Sequence, residues 1–357
     1  MVKEKSIKLG DFTKSAFVVS DAIYGALHCL SGGYPKSQKL IFSEHFPIAN
    51  YYIALRLKGI LSTIHSFRMR GEIMSKVAIV TDSTAYIPDE LRKQLNITVV
   101  PLILIWGDES FEDGVDMLPE DFYTRMENSK VIPSTSQATI PSMKKAFEKL
   151  LEQGYDVLGI FLSSKFSGTV QSAIQAREMI QKGQEKIAIL DSLFTTMALG
   201  WPVLTAARAA EAGENLVACQ QLAEKSRDQT GVMFVVETLE YLRRGGRIGG
   251  AQAMLGTILN VKPLLEMQDG KIEAVEKIRT KRKALNRMLD LVEGKISGKS
   301  PIRLATVHAN AEAEALALLE TARQRFNPVE SLLSPLSPVI GTHAGPGTVA
   351  LAFMTGF

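Results

Sequence analysis

The chain has 357 residues, 46% hydrophobic and 22% charged, with a formal net charge of +3 and two cysteines. That length admits two α/β domains and an appendage, and the composition is that of a globular protein rather than a disordered or fibrous one. The small charge excludes a nucleic-acid footprint, no uncharged apolar run reaches the about 18 residues of a stable membrane insertion, and Cys29 and Cys219 form no disulfide or metal pattern, as expected in the cytoplasm.

Residues 1–73 differ from the rest. They hold 10 Lys and Arg against 5 Asp and Glu, a balance of +5 that leaves −2 for residues 74–357, and they include His28, His45 and His65. Ala16 to Leu30 and Ile48 to Ile64 are moderately apolar without a clean period or a cap. The charged start is not followed by the apolar core and cleavage site of a signal peptide, and Glu4, Asp11 and Asp21 are foreign to a mitochondrial transit peptide. Arg70-Gly71-Glu72-Ile73-Met74 is compatible with a purine-rich run just before an ATG, which is how a bacterial ribosome-binding site reads when translated in frame. Residues 1–73 are therefore expected to be an atypical extension that need not be natural coding sequence.

At Met74 a strong pattern begins. Lys76 to Asp82 predicts a buried strand ending in the polar turn Asp82-Ser83-Thr84. Pro88 to Leu95 predicts a short helix with proline at its start, and Ile97 to Trp106 a strand interrupted by Pro101. Gly107 to Met117, with Glu112-Asp113-Gly114, reads as a polar loop. Pro119 to Asn128 is helical. Pro133-Ser134-Thr135-Ser136-Gln137 reads as a hydroxyl-rich loop ahead of a helix over Ile140 to Gln153. Asp156 to Leu162 is a short, near-continuous apolar run, a strand buried on both faces. It leads into Ser163-Ser164-Lys165-Phe166-Ser167-Gly168-Thr169, and helical spacing from Val170 to Ile180 opens a helix near Ser167 or Gly168. Lys186 to Asp191 is a further strand, Thr195 and Thr196 lead into an apolar helix to about Ala212, and Asn215 to Thr230 is helical. Strands alternating with helices predict a mainly parallel sheet with right-handed crossovers over residues 74–230.

From Gly231 the rhythm changes. Val232 to Val236 is a strand, and Leu239 to Arg244 a helix end followed by Gly245-Gly246-Arg247-Ile248-Gly249-Gly250. Val261 to Met267 and Ile272 to Val275 flank an Asp-Gly hairpin turn. Thr280 to Val292 and Ala311 to Phe326 are helical, Ile302 to Val307 and Ser331 to Leu336 are strands, and Gly341 to Thr348 is a Gly-rich loop before a last apolar segment. A hairpin inside this order predicts a second α/β domain, over residues 231–357, with a mixed sheet.

The chemistry on offer is hydroxyls in turns at strand ends. In open α/β sheets ligands sit at the carboxyl ends of strands. Backbone N–H groups at a helix start, flanked by Ser and Thr, suit a carboxylate or phosphate. A plain N-cap cluster is the alternative, though one hydroxyl suffices for a cap. His343 lies among Gly341, Gly345 and Gly347 and is either structural or functional; His308, after an apolar strand, reads as structural or solvent-exposed. No P-loop, dinucleotide fingerprint, G-x-S-x-G elbow, H-E-x-x-H or Cys/His cluster occurs, so no cofactor and no metal are expected.

Six motifs then occur in a fixed order: Lys76 to Thr84 (KVAIVTDST), Thr135-Ser136-Gln137, Leu162 to Thr169 (LSSKFSGT), Arg243 to Gly250 (RRGGRIGG), Lys277-Ile278-Arg279-Thr280, and Thr342 to Thr348 (THAGPGT). In this the chain resembles the DegV family of bacterial fatty-acid-binding proteins, over about residues 74–357. It departs from the family at Gln137-Ala138, where Gln-Pro is usual, which touches loop rigidity rather than a donor. The resemblance implies a long-chain fatty acid buried between two α/β domains, its carboxylate at the polar turns. Thr135, Ser136, Ser163, Ser164 and His343 are the implied head-group residues, with Ser83 and Gly168 nearby. It also implies a carrier rather than an enzyme, handing the acid to a separate fatty acid kinase that makes an acyl phosphate for phospholipid synthesis. Arg247 and Arg279 match positions that would face the kinase; the alternative is two surface arginines. The rival class is a serine-dependent lipid or ester hydrolase using a Ser with His343, which lacks an assignable third member. A regulatory binding domain is the third reading.

Overall fold

The computed structural model describes residues 76–256 and 261–357, so the expected extension over 1–73 lies outside the described residues. In chain order the elements are β1 (Val77–Asp82), α1 (Asp89–Gln94), β2 (Thr98–Val100), β3 (Ile103–Trp106), β4 (Glu109–Glu112), α2 (Pro119–Asn128), β5 (Ser134–Ser136), α3 (Ile140–Glu152), β6 (Asp156–Phe161), α4 (Thr169–Glu178), β7 (Ile187–Asp191), α5 (Met197–Glu211) and α6 (Leu216–Asp228). They continue with β8 (Thr230–Val235), α7 (Glu240–Arg244), β9 (Lys262–Gln268), β10 (Lys271–Ile278), α8 (Lys281–Ile296), β11 (Ile302–His308), α9 (Glu312–Phe326), β12 (Glu330–Pro335), α10 (Pro338–Ala344) and β13 (Val349–Thr355).

Among the described residues the strands form three sheets: a four-stranded β2-β1-β6-β7, a six-stranded β10-β9-β8-β13-β11-β12, and a three-stranded β4-β3-β5. The first is parallel throughout. The second is mixed, with only β11 and β12 parallel. The fold is therefore α/β with a parallel sheet and a mixed sheet, and the mixed sheet starts at Thr230, next to the change of rhythm in the sequence.

The two larger sheets are not separate bodies with separate cores. Helix α5 is buried from Met197 through Leu204 without a solvent face, as its all-round apolar sequence requires. It packs on β1 and β6 on one side and on β8, β11 and β13 on the other. One continuous core results, running from Val80 and Phe161 through Trp201 to Val232 and Ala352. In β8 the side chains alternate: Val232 and Phe234 face this core, while Met233 and Val235 face a second one shared with Met288 of α8 and Leu318 of α9.

Four sequence expectations need correction. The run Ile97 to Trp106 is not one interrupted strand; Pro101 and Leu102 turn the chain from β2 in the parallel sheet to β3 in the small sheet. The polar loop Gly107 to Met117 contains β4, folded back on β3 through Gly107 at φ 65°. The hydroxyl-rich loop at Pro133 contains β5, also paired with β3. Three polar residues carry no alternation of their own, so their strand character comes from the partner strand. Finally, Gly341, Thr342 and His343 lie on the last turns of α10, and the apolar end after them is β13, an interior strand. Position 341 is a glycine inside this helix because a Cβ there would stand 2.6 Å from the Tyr123 hydroxyl of α2.

Candidate functional site

A cavity lies between the turns of the parallel-sheet half and the inner face of the mixed sheet. Its wall is mostly apolar: Leu102, Leu162, Val232, Phe234, Met267 and Leu336 are each buried side chains that line it. Polar lining comes from Thr135, Ser136 and Gln137 at β5, Ser167 and Gly168 before α4, Thr195 and Thr196 before α5, and His343 and Arg247. Ser136 and Gln137 are exposed, which places solvent on that side of the cavity.

The imidazole of His343 is the best-defined polar group. Its Nε2 lies 2.8 Å from Thr135 Oγ1, while its buried Nδ1 has no hydrogen-bond partner. Burial holds its pKa down to about 4, and the nearby Arg247 guanidinium adds to the effect, so the ring is neutral at pH 7. Nδ1 faces Gly245 so closely that a Cβ on that glycine would stand 2.0 Å from it. The helix carrying His343 ends at Gly345, φ 77°, where the ring of Tyr241 lies 2.2 Å from the place a Cβ would occupy. This explains in contact terms why the sequence around His343 is built from glycines.

Thr195 and Thr196 add two buried hydroxyls without partners, Oγ1 in each case. Thr196 also holds φ 60° and ψ −158°, a region nearly reserved for glycine. For a β-branched residue such backbone costs roughly 1–3 kcal/mol and tends to gather at functional sites. A buried hydroxyl left unpaired in an apolar cavity is costly, so the two unpaired threonine hydroxyls on one cavity mark a surface built to meet a polar group.

The candidate residues divide. Thr135, Ser136, Gly168 and His343 line the cavity together; Ser83, Ser163 and Ser164 do not. Ser83 Oγ donates to Asp113 Oδ2 at 2.6 Å and accepts the Leu102 N–H. Ser163 is fully buried and donates to the Gly270 carbonyl at 2.9 Å, pinning the β9–β10 hairpin tip. Ser164 is exposed, and its N–H donates to Asp191. Arg247 is also displaced from its expected outward role: it is half-buried in the cavity wall, with Nε donating to the Phe166 carbonyl and Nη1 to that of Gly245. Arg279 is exposed and remote from the cavity lining. His308 is buried, and its Nδ1 accepts the Ala311 N–H. Ser163→Ala should therefore cost about 1–3 kcal/mol in thermal unfolding, whereas Ser164→Ala should stay within about 0.5 kcal/mol of the parent.

Sequence reasoning passed over Gln137, Ser167, Thr195 and Thr196, although all four sit in the hydroxyl-rich turns. It also passed over Asp113, hidden in a polar loop. Asp113 is buried and accepts Ser83, Ser337 and the Val339 N–H at the start of α10. The one departure from the motif pattern has a use: the Ala138 N–H, which a proline would lack, donates to Thr169 Oγ1 at 3.4 Å. Among the described residues no group of three or more His, Cys, Asp or Glu could hold a metal, and no helix is long and apolar enough to cross a membrane.

Fold and site thus define a class: an α/β protein with a parallel and a mixed sheet bordering a mostly apolar cavity that polar turns also line. The profile described as "Uncharacterised protein, DegV family" matches residues 76–356, and the chain belongs to the DegV family. A DegV domain-containing protein of Listeria monocytogenes is 39% identical over 279 residues, 78% of this chain and 98% of its own length. Among solved structures, a fatty-acid-binding DegV family protein of Thermus thermophilus superposes with a TM-score of 0.74 at 33% identity, covering 79% of this chain and all of its own. DegV of Bacillus subtilis, described as a fatty acid binding protein, gives a TM-score of 0.72 at 34% identity with the same coverage.

Proposed function

We propose that this chain binds a long-chain fatty acid in the cavity and presents its carboxylate to a separate fatty acid kinase in the cytoplasm. The observation that carries the reading is a cavity whose mostly apolar lining also holds Thr135, His343, Arg247 and the unpartnered hydroxyls of Thr195 and Thr196. Each buried methylene contributes about 0.8 kcal/mol, so the tail supplies affinity and the head supplies orientation. An anion is met best if His343 Nε2–H donates to Thr135 Oγ1, because the threonine proton is then free to donate to the carboxylate. The same carboxylate would draw the His343 pKa upward from about 4. The exposure of Ser136 and Gln137 supports a head group within reach of a partner.

A carrier is favoured over a serine hydrolase by the partners of the serines. Neither Ser163 nor Ser164 lies on His343, whose one hydrogen bond is to Thr135 and whose Nδ1 has no carboxylate to orient it. Mass spectrometry of ligand extracted from the purified protein tests the reading. A long-chain fatty acid is the expected result; an empty cavity, or a fluorophosphonate adduct on Ser164 with matching esterase activity, overturns it.

Arg247 fits the phosphoryl step better than simple docking. The transferred phosphoryl group brings more negative charge than the carboxylate alone, and a guanidinium in the wall is placed to meet it. Arg247→Ala should slow acyl phosphate formation by roughly tenfold or more while weakening fatty acid binding by less. Equal losses in the two assays would assign Arg247 to the carboxylate. Arg279→Ala should leave binding unchanged and lower only the kinase rate.

A further inference from the structure

Two side chains, Val232 and Met267, stand between the cavity and a second crevice and line both. In β8, Val235 lies opposite Val349, which directly follows Thr348 and comes soon after the end of α10, the helix that carries His343, and Val232 lies opposite Ala352. Val232 is thus three residues further along, about 10 Å from Val235 at roughly 3.3 Å per residue. The β8–β9 ladder runs from Val235–Leu264 to Met233–Glu266 and stops there. Beyond it β9 continues, with Met267 opposite Ile272 of β10, so Val232 and Met267 flank a place where the sheet is no longer zipped. On the far face of the sheet lies a crevice holding the Lys295–Glu266 ion pair, at 2.8 Å, together with Asp228 and Lys299. Val232 and Met267 line both that crevice and the cavity.

We propose that Met267, with Val232, is a hydrophobic gate that sets the longest acyl chain the cavity accepts, an inference that rests on the fatty-acid-binding reading. A terminal methyl arriving here meets apolar side chains, 8% and 4% exposed respectively. One carried past them would enter a crevice lined by charged groups, where burial no longer favours it. Methionine suits the position because its unbranched side chain adapts to the chain end. Along β8 the gate stands three residues from Val235, whose partner Val349 follows Thr348, so it acts on length.

The test compares uptake of myristate, palmitate, stearate and arachidate from an equimolar mixture, read by mass spectrometry of the purified protein. Met267→Ala should move the preferred length upward by about two methylenes and raise the arachidate-to-palmitate ratio on the order of tenfold, since each further buried methylene is worth about fourfold. Met267→Leu, which conserves volume, should keep the parent profile. Leu336→Ala, in the wall near the His343 end, should weaken all four acids without shifting their order. Val232→Ala should shift the profile as Met267→Ala does, and it keeps the test decisive if the latter variant does not fold. A parent protein that binds the acids while both alanine variants keep its length profile overturns the gate alone. A parent that takes up none of the four overturns the binding reading, and the gate with it.

Discussion

Gly245→Ala should lower fatty acid affinity on the order of 10- to 100-fold, together with a folding cost of about 1–3 kcal/mol for the overpacked ring. The backbone at Gly245 is right-handed helical, φ −71° and ψ −10°, so alanine is conformationally acceptable there. The obstacle is His343, whose Nδ1 would stand 2.0 Å from the new methyl group. The ring cannot tilt freely, because Nε2 is held on Thr135 and the side chain is enclosed. Moving it breaks that bond and turns the threonine hydroxyl away from the carboxylate. A hydrogen bond to a charged group is worth about 1.5–3 kcal/mol, which gives the stated range. Gly246→Ala is the control: its φ of 69° makes alanine strained, but nothing lies within 4 Å of the added Cβ. It should lower stability by about 1 kcal/mol and leave affinity alone. Calorimetric titration with palmitate and thermal unfolding of both variants separate the two effects, and an unchanged affinity in Gly245→Ala would remove His343 from the head-group site.

Asp113 should govern stability and its dependence on pH. Its carboxylate accepts Ser83 Oγ, Ser337 Oγ and the Val339 N–H, joining the first strand-end turn to α10, the helix that carries His343. Asp113→Ala leaves those donors without an acceptor in a buried site and should cost about 3–5 kcal/mol. Burial pushes the Asp113 pKa up to about 6, against the lowering effect of its three hydrogen bonds and with a smaller upward push from Asp82. A folded-state value above the unfolded one means that its contribution to stability is complete below about pH 4 and is lost as pH rises through about 6. The span corresponds to about 3 kcal/mol. Asp82, also raised by burial, acts in the same direction, so the parent alone cannot assign the slope. Asp113→Asn can: its oxygen still accepts from Val339, the serine hydroxyls can rotate to accept from its amide, and it does not titrate. The difference in unfolding free energy between Asp113→Asn and the parent should therefore change by about 2 kcal/mol between pH 4.5 and 7.5, in favour of the variant at the higher pH. A difference independent of pH would show that Asp113 does not titrate in this window.

Much of the architecture is legible in the order of residues. Near-continuous apolar runs such as Asp156 to Phe161 need no partner to be recognised as strands buried on both faces, and the Asp-Gly turn announces the β9–β10 hairpin. The all-round apolar character of α5 likewise marks a helix without a solvent face. The turns that line the cavity are legible as classes of residue, since hydroxyls at strand ends are an invitation to an anion wherever they occur.

Which hydroxyl faces the ligand is a different kind of information. Ser163, Ser164 and Ser167 stand within five positions of one another, yet one bonds to a hairpin carbonyl, one is exposed, and one lines the cavity. Local sequence cannot separate them because the deciding partners, such as Gly270 and Asp191, are 107 and 27 residues away. The same holds for β5, which is a strand only because β3 is beside it, and for Asp113, whose partners Ser83 and Ser337 lie 30 and 224 residues away in the sequence. Sequence by itself determined the apolar strands, the longer helices and the chemistry of the turns, because periodicity and residue type act over a few positions; it did not show β4, β5 or α10. Tertiary structure decided which of those groups share a cavity, which are consumed in holding the fold, and where the tail must stop, because each depends on the chain returning to itself over long separations.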